Sequence, residues 1–162
     1  MELVQDAVVE ALVDSTRDVF ETVVFMSLRA EEVIDDAAEI DNLNLSAFIC
    51  LAGQLSGLVA VHCSTDLACE ITQTATCDDG PQLSATQLRD AVGEMANMIA
   101  GNLKRRFSKD SDLFEIAVPS VIEGQSLRIC HAGSKSGFPR LLVPFVANEE
   151  HRFYVELQYK PC

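Results

Sequence analysis

Residues 90–104 read DAVGEMANMIAGNLK. The apolar residues recur at helical spacing, yet Gly93 and Gly101 stand inside the run. Each glycine costs about 1 kcal/mol relative to alanine in a helix interior. At 100° per residue, Leu88, Val92, Met95, Ile99 and Leu103 fall within an arc of about 80°, which is the core stripe. Asp90, Glu94, Asn97, Gly101 and Lys104 lie on the opposite side, with Gly93 and Gly101 flanking the row. Glycine on an outer face allows another surface to come close. The helix therefore reads as one built to be touched along Asp90–Glu94–Asn97–Lys104, against the plainer reading of a solvated polar face.

Working outward, Ser84 stands three residues before Gln87, a capping-box spacing, so the helix is expected over about 85–107. Residues 5–30 carry Val8, Leu12, Val19 and Val23 at helical spacing and predict an amphipathic helix reaching toward the acidic patch EEVIDDAAEID (31–41). SAFICLAG (46–53) and LSGLVAVHC (55–63), with GQLSG between them, read as a buried hairpin. STDLACEITQTATC (64–77) opens on Ser64, Thr65 and Asp66, good N-caps, and reads as a helix. DDGPQ (78–82) reads as a turn. Four strand-like runs close the chain: FEIAVPSVI (114–122), SLRICHA (126–132), RLLVPFVA (140–147) and HRFYVELQYK (151–160), joined by turn-like EGQ, GSKSGFP and NEE. Pro119 and Pro144 suggest strand starts, bulges or edges. The order predicts an α+β fold: an antiparallel or mixed sheet of about six strands with long helices packed on it. Helix-then-strands occurs twice, and FETVVF (20–25) aligns with GEMANM (93–98), a hint of an internal repeat.

The bulk composition limits function. The 162 residues show no composition break, which predicts one domain over 1–162, and 48% are hydrophobic, enough for a real core. A net charge of −13 repels nucleic acid and anionic lipid. MELVQDAVVEAL has no basic n-region of a signal peptide, and no run approaches the roughly 20 apolar residues of a membrane span. Cys50, Cys63, Cys69, Cys77, Cys130 and Cys162 form no CxxC pair, and His62, His131 and His151 have no metal-like spacing. The cysteines read as reduced, in a cytoplasmic protein, and no bound metal or cofactor is expected. His62, in an apolar alternating strand, reads as a packed histidine. Lys104-Arg105-Arg106 suits a helix C-terminus.

The helix resembles the signature helix of the CheC/CheX/FliY family of chemotaxis phosphatases, whose pattern is Asp or Ser, three residues, Glu, two residues, Asn, and a proline about twenty residues on. Here these are Asp90, Glu94, Asn97 and Pro119. AGN (100–102), the element order and STRDVFETVVF (15–25) are similar too. A single ExxN is similar to CheX-like members. In the first helix Glu21 is present, but Val24 stands where the amide would be. The resemblance implies hydrolysis of the aspartyl phosphate on a CheY-like response regulator, with Mg²⁺ carried by that partner, and a homodimer formed by joining sheets. Asn97 would orient the attacking water, and Glu94 would hold the receiver's lysine. Asp90, Gly93, Gly101 and Lys104 would contact the partner. A non-catalytic receiver-binding or flagellar-switch-like module is the competing reading.

Overall fold

The computed structural model describes residues 5–34, 38–77, 82–107, 113–130 and 138–161. The turn expected at DDGPQ and the connector GSKSGFP fall largely outside these residues, as do His131 and Cys162. Helix α1 spans Gln5–Val19 and runs into a π-helical turn, Phe20–Val24. Helices α2 (Thr65–Thr76) and α3 (Ala85–Phe107) follow the β2–β3 hairpin. Seven strands make one sheet: β1 Leu28–Ala30, β2 Ile40–Gly53, β3 Leu55–Cys63, β4 Phe114–Ile116, β5 Ser120–Ile129, β6 Arg140–Ala147 and β7 His151–Pro161. The order is β1-β6-β7-β3-β2-β4, with β5 also on β2, and every pairing is antiparallel.

The helices form where their local chemistry says they should. Ser84 and Gln87 close a reciprocal capping box, the Ser84 amide donating to Gln87 Oε1 (2.8 Å) and the Gln87 amide to Ser84 Oγ (3.2 Å). Ser64 Oγ accepts from the Leu67 amide at 3.3 Å and starts α2. Asn148 and Glu149, both at positive φ, make the tight turn between β6 and β7.

Four expectations need correction. The helix expected over 5–30 ends at Val19. The π turn and left-handed Phe25 (φ 55°) stop it, and Leu28–Ala30 turns to pair with β6 instead. Helical spacing alone does not register that pairing. The run 114–122 breaks at 117–119, because Pro119 has no amide to give the ladder; β4 and β5 lie in succession along the same edge of β2. EGQ (123–125) is not a turn. Strand β5 continues through it with a bulge: Leu43 and Leu45 of β2 face Leu127 and Glu123, so β5 carries two extra residues there. The Asn44 side-chain amide donates to the Gly124 and Gln125 carbonyls there (3.3 and 2.9 Å), replacing ladder bonds. The hairpin turn is also tighter than GQLSG: Gln54 alone separates β2 from β3.

The helices cover one face of the sheet. Val8, Leu12 and Phe20, Leu67 and Ile71, and Met95, Ile99 and Leu103 meet Ile49, Val59, Val61, Val155 and Leu157 in a single core. Phe20 and Phe145 both stack on Phe153, with ring centroids at 4.7 and 5.4 Å. On the other face Ile40, Leu43 and Leu142 form a smaller cluster with Ile34, Leu127 and Ile129. Beside it lies a buried polar network. Ser46 Oγ is 2.9 Å from His62 Nδ1, and His62 Nε2 is 3.1 Å from Glu156 Oε2. Arg140 donates twice to Glu156, at 2.9 and 3.2 Å, and once to the Ala38 carbonyl, and Gln158 donates to Glu156 at 2.6 Å. Burial alone would raise the Glu156 carboxyl. The bonds from His62, Arg140 and Gln158, with the Arg140 charge, outweigh it and bring the pKa from 4.5 down to about 2. His62 is thus a packed core histidine, as its strand context suggested.

Glu156→Ala leaves the Arg140 guanidinium buried without its carboxylate, and is expected to cost about 3 kcal/mol or more in urea unfolding. The folded pKa lies below the unfolded one, so Glu156 contributes stability above about pH 4.5 that is lost as the pH falls toward about 2. Over that interval the wild type is expected to lose more stability than the variant.

Candidate functional site

Helix α3 packs beside α1, α2 and the segment from β4 into β5, and all three border its outer face. On one side α1 runs antiparallel to it. Arg106 is paired with Asp14 and Asp18, the Asn102 amide donates to the Ser15 carbonyl, and Thr22 and Val23 lie by Asn97 and Met98. On the other side the chain from β4 into β5 also runs antiparallel to α3. Lys104 Nζ is 3.2 Å from Glu115 Oε2, Ile116 borders the same hollow as Asn97 and Gly101, Pro119 and Val121 sit over Gly93, and Arg89 is paired with Glu123 at 2.5 Å. The exposed strip left between these walls carries Asp90, Glu94 and Asn97.

Glu94 and Asp90 are exposed, and Asn97 is half-buried. Glu94 and Asn97 are one turn apart, about 4.5 Å along the axis. Among the described residues none of the three side chains has a hydrogen-bond or ion-pair partner. Two hollows open beside them, separated by Val23 and Met98, which line both. The first, of about 500 Å³, is lined by Asn97, Gly101, Asn102 and Arg105 of α3, by Asp18 of α1 and by Thr22 of the π turn. The second, of about 350 Å³, is more apolar: Ile71, Ala75, Met95 and Val24 line it, with Asp90 and Glu94 at its border. The carboxylate therefore borders an apolar hollow and the amide a more polar one. Together they offer a fixed negative charge and a neutral donor–acceptor to anything that seats across the Val23–Met98 ridge.

The two glycines prove unlike. Gly101 is open: a Cβ built there meets nothing within 4 Å. Gly93 does not face outward, as the wheel predicted, but is buried, and its Cβ would stand 3.4 Å from Val121 Cγ2 and 3.7 Å from Pro119 Cγ. The wheel assumed one buried arc; the β4–β5 segment lies along a second side of α3 and buries Gly93 from there. Lys104, expected to meet a partner, is 22% exposed and is ion-paired with Glu115 of its own chain. The first-helix counterpart also departs from a working site. Glu21 is exposed, but Val24 is buried at 2% within the π turn. Sequence reasoning missed the ridge of Val23 and Met98, since no periodicity or motif marks where two neighbouring elements meet. Among the described residues no group of three or more His, Cys, Asp or Glu gathers as a metal site, and no helix is long and apolar enough to cross a membrane.

Residues 45–145 match the family described as chemotaxis phosphatase CheX. Among curated proteins none matches the chain. Among solved structures, the chemotaxis protein CheX from Desulfovibrio desulfuricans is similar at 25% identity, covering 94% of this chain and 99% of that one, with a TM-score of 0.79. The CheX from Vibrio vulnificus is similar at 24% identity, covering 94% and 99%, with a TM-score of 0.77. A chain of the CheX–CheY–BeF3–Mg²⁺ complex from Borrelia burgdorferi shares the fold at 17% identity, covering 94% and 97%, with a TM-score of 0.70.

The contrast between the glycines has a direct check. Gly101→Ala is expected to raise unfolding free energy by about 1 kcal/mol, since the added methyl meets open space in a helix interior. Gly93→Leu, forced against Pro119 and Val121, is expected to lower it by about 1–3 kcal/mol. Equal effects in denaturant titrations would contradict the packing described.

Proposed function

The chain belongs to the CheX family of chemotaxis phosphatases, and from that premise we propose that it hydrolyses the aspartyl phosphate of a phosphorylated CheY-like response regulator. The observation that carries this is the unpartnered Glu94–Asn97 pair on the one exposed strip of α3. Hydrolysis of an acyl phosphate needs a water in line with phosphorus and charge compensation on the phosphoryl oxygens. Mg²⁺ and a lysine belong to the receiver; this chain binds no metal of its own for the reaction. Asn97 inserts beside the phosphoryl group and orients the water, donating with its NH₂ or accepting with its carbonyl, and adds no negative charge. Glu94 does not act as base. It pairs with the receiver's lysine and fixes the register of docking. Asp90, two turns before Asn97, extends that contact, and open Gly101 lets the partner's backbone approach. Gly93 and Lys104 serve from behind, holding the β4–β5 wall beside the pair.

The whole chain acts as one such domain in the cytoplasm, and its partner is a protein, not nucleic acid or a membrane, in keeping with the charge of −13. A homodimer that joins sheets is part of the same reading. Strand β5 supports it: ten residues long, mostly exposed, and paired on one side to β2. The non-catalytic alternative, a receiver-binding module of the same fold, is less well supported, because such a module has no need of the amide.

Phosphate release from a CheY-like receiver charged with acetyl phosphate and Mg²⁺ tests the proposal. Wild type is expected to accelerate release. Asn97→Ala is expected to lose at least a hundredfold in turnover while receiver binding survives, and Glu94→Ala to lose both. An Asn97→Ala variant with wild-type turnover sinks the water-orienting role.

A further inference from the structure

Among the described residues the large apolar side chains that stand exposed are Val23, Phe25, Val33, Val118 and Ile122. Three of them flank the Glu94–Asn97 strip. Val23 lines both hollows beside it, and Phe25 follows directly on Val23 and Val24, which line the hollow that Glu94 borders. Across the helix, Ile116 lies by Asn97 and Pro119 by Gly93, so Val118 between them stands alongside 94–97; Ile122, paired with Ser46, points to the opposite face of the sheet. Val118 is 86% exposed and Phe25 77%.

Phe25 is anomalous twice over. It takes the left-handed conformation (φ 55°, ψ 36°) just past a helix end, a place that favours glycine or asparagine and is strained for a bulky side chain. Its ring then gains little from the fold, because it is left in water. A residue that is strained and solvated in the free protein points to a contact made elsewhere. Aromatic side chains, phenylalanine among them, are enriched at protein interfaces.

We infer that Val23 and Phe25 on one side and Val118 on the other form an apolar frame that seats the receiver's surface around its phosphorylated aspartate, with Phe25 as the anchor. This rests on the receiver-phosphatase reading above. The frame borders the polar pair on both flanks, so closing it excludes water from the Glu94–lysine contact and strengthens it. The frame supplies binding, and Asn97 supplies turnover.

The two readings separate in one set of measurements. Phosphate release is followed against concentration of the acetyl-phosphate-charged receiver, and binding against the beryllofluoride-charged receiver, for wild type, Phe25→Asn and Val118→Ser. Thermal melting accompanies each. Phe25→Asn is expected to melt at the same temperature or higher, since asparagine suits the left-handed backbone. Both variants are expected to raise the half-saturating receiver concentration about tenfold with the maximal rate unchanged. Wild-type half-saturation in both overturns the frame while leaving the phosphatase reading intact. A lower melting temperature for Phe25→Asn assigns the ring to the fold and overturns the anchor. If wild type binds the receiver without accelerating release, the phosphatase reading fails, and weakened binding by the variants still upholds the frame. If wild type does not bind at all, both fall.

Discussion

The antiparallel pairing of β3 with β7, running from Leu55↔Pro161 to His62↔Tyr154, is where the two halves of the chain meet. Exchange β1 with β4, β2 with β6 and β3 with β7, and the sheet order reads as itself reversed. The same exchange carries α1 onto α3. The repeat that the sequence hints at through FETVVF and GEMANM is thus a two-fold relation centred on this pairing. It sets α1 and α3 side by side and antiparallel on one face, which is what gives the exposed strip of α3 its first wall. In the second wall β4 answers to β1, while among the described residues β5 answers only to the bridge Ile34↔Leu142 beside β6.

The polar network behind the sheet reinforces that junction from the other face. Ser46 is on β2, His62 on β3, Glu156 and Gln158 on β7 and Arg140 on β6, so one buried carboxylate ties together strands from both halves. Leucine or valine at these positions would also fill the space. Only the polar set fixes relative register, because a one-residue slip would separate Glu156 from both His62 and Arg140. The position of α3 over the sheet depends on that register, and through it so does the orientation of Glu94 and Asn97.

Much of this was legible in the residues, for local reasons. The bounds of α2 and α3 follow from Ser64 and from the Ser84–Gln87 box, whose bonds span three residues. The outward setting of Glu94 and Asn97 follows from the 3.6-residue period. What was not legible depends on distant partners. Strand β1 is three residues long and exists because β6 offers an edge; helical spacing through Val23 hid it. The passage of β5 through EGQ depends on Asn44, some eighty residues away in sequence. Gly93 looked exposed because a wheel knows only its own helix, whereas Pro119 and Val121 arrive from beyond its end. Lys104 looked available for the same reason, with Glu115 unseen.

The burial of Val24 in a terminal π turn has a consequence for stoichiometry. The fold has two places related by its two-fold axis, and only one carries both a carboxylate and an amide; the other ends its helix early and turns its would-be amide position into core. On the proposed reading the chain is monovalent. It engages one receiver at a time, so a monomer responds to receiver concentration along a simple saturation curve, and any steeper response must come from how copies of the chain are coupled to one another.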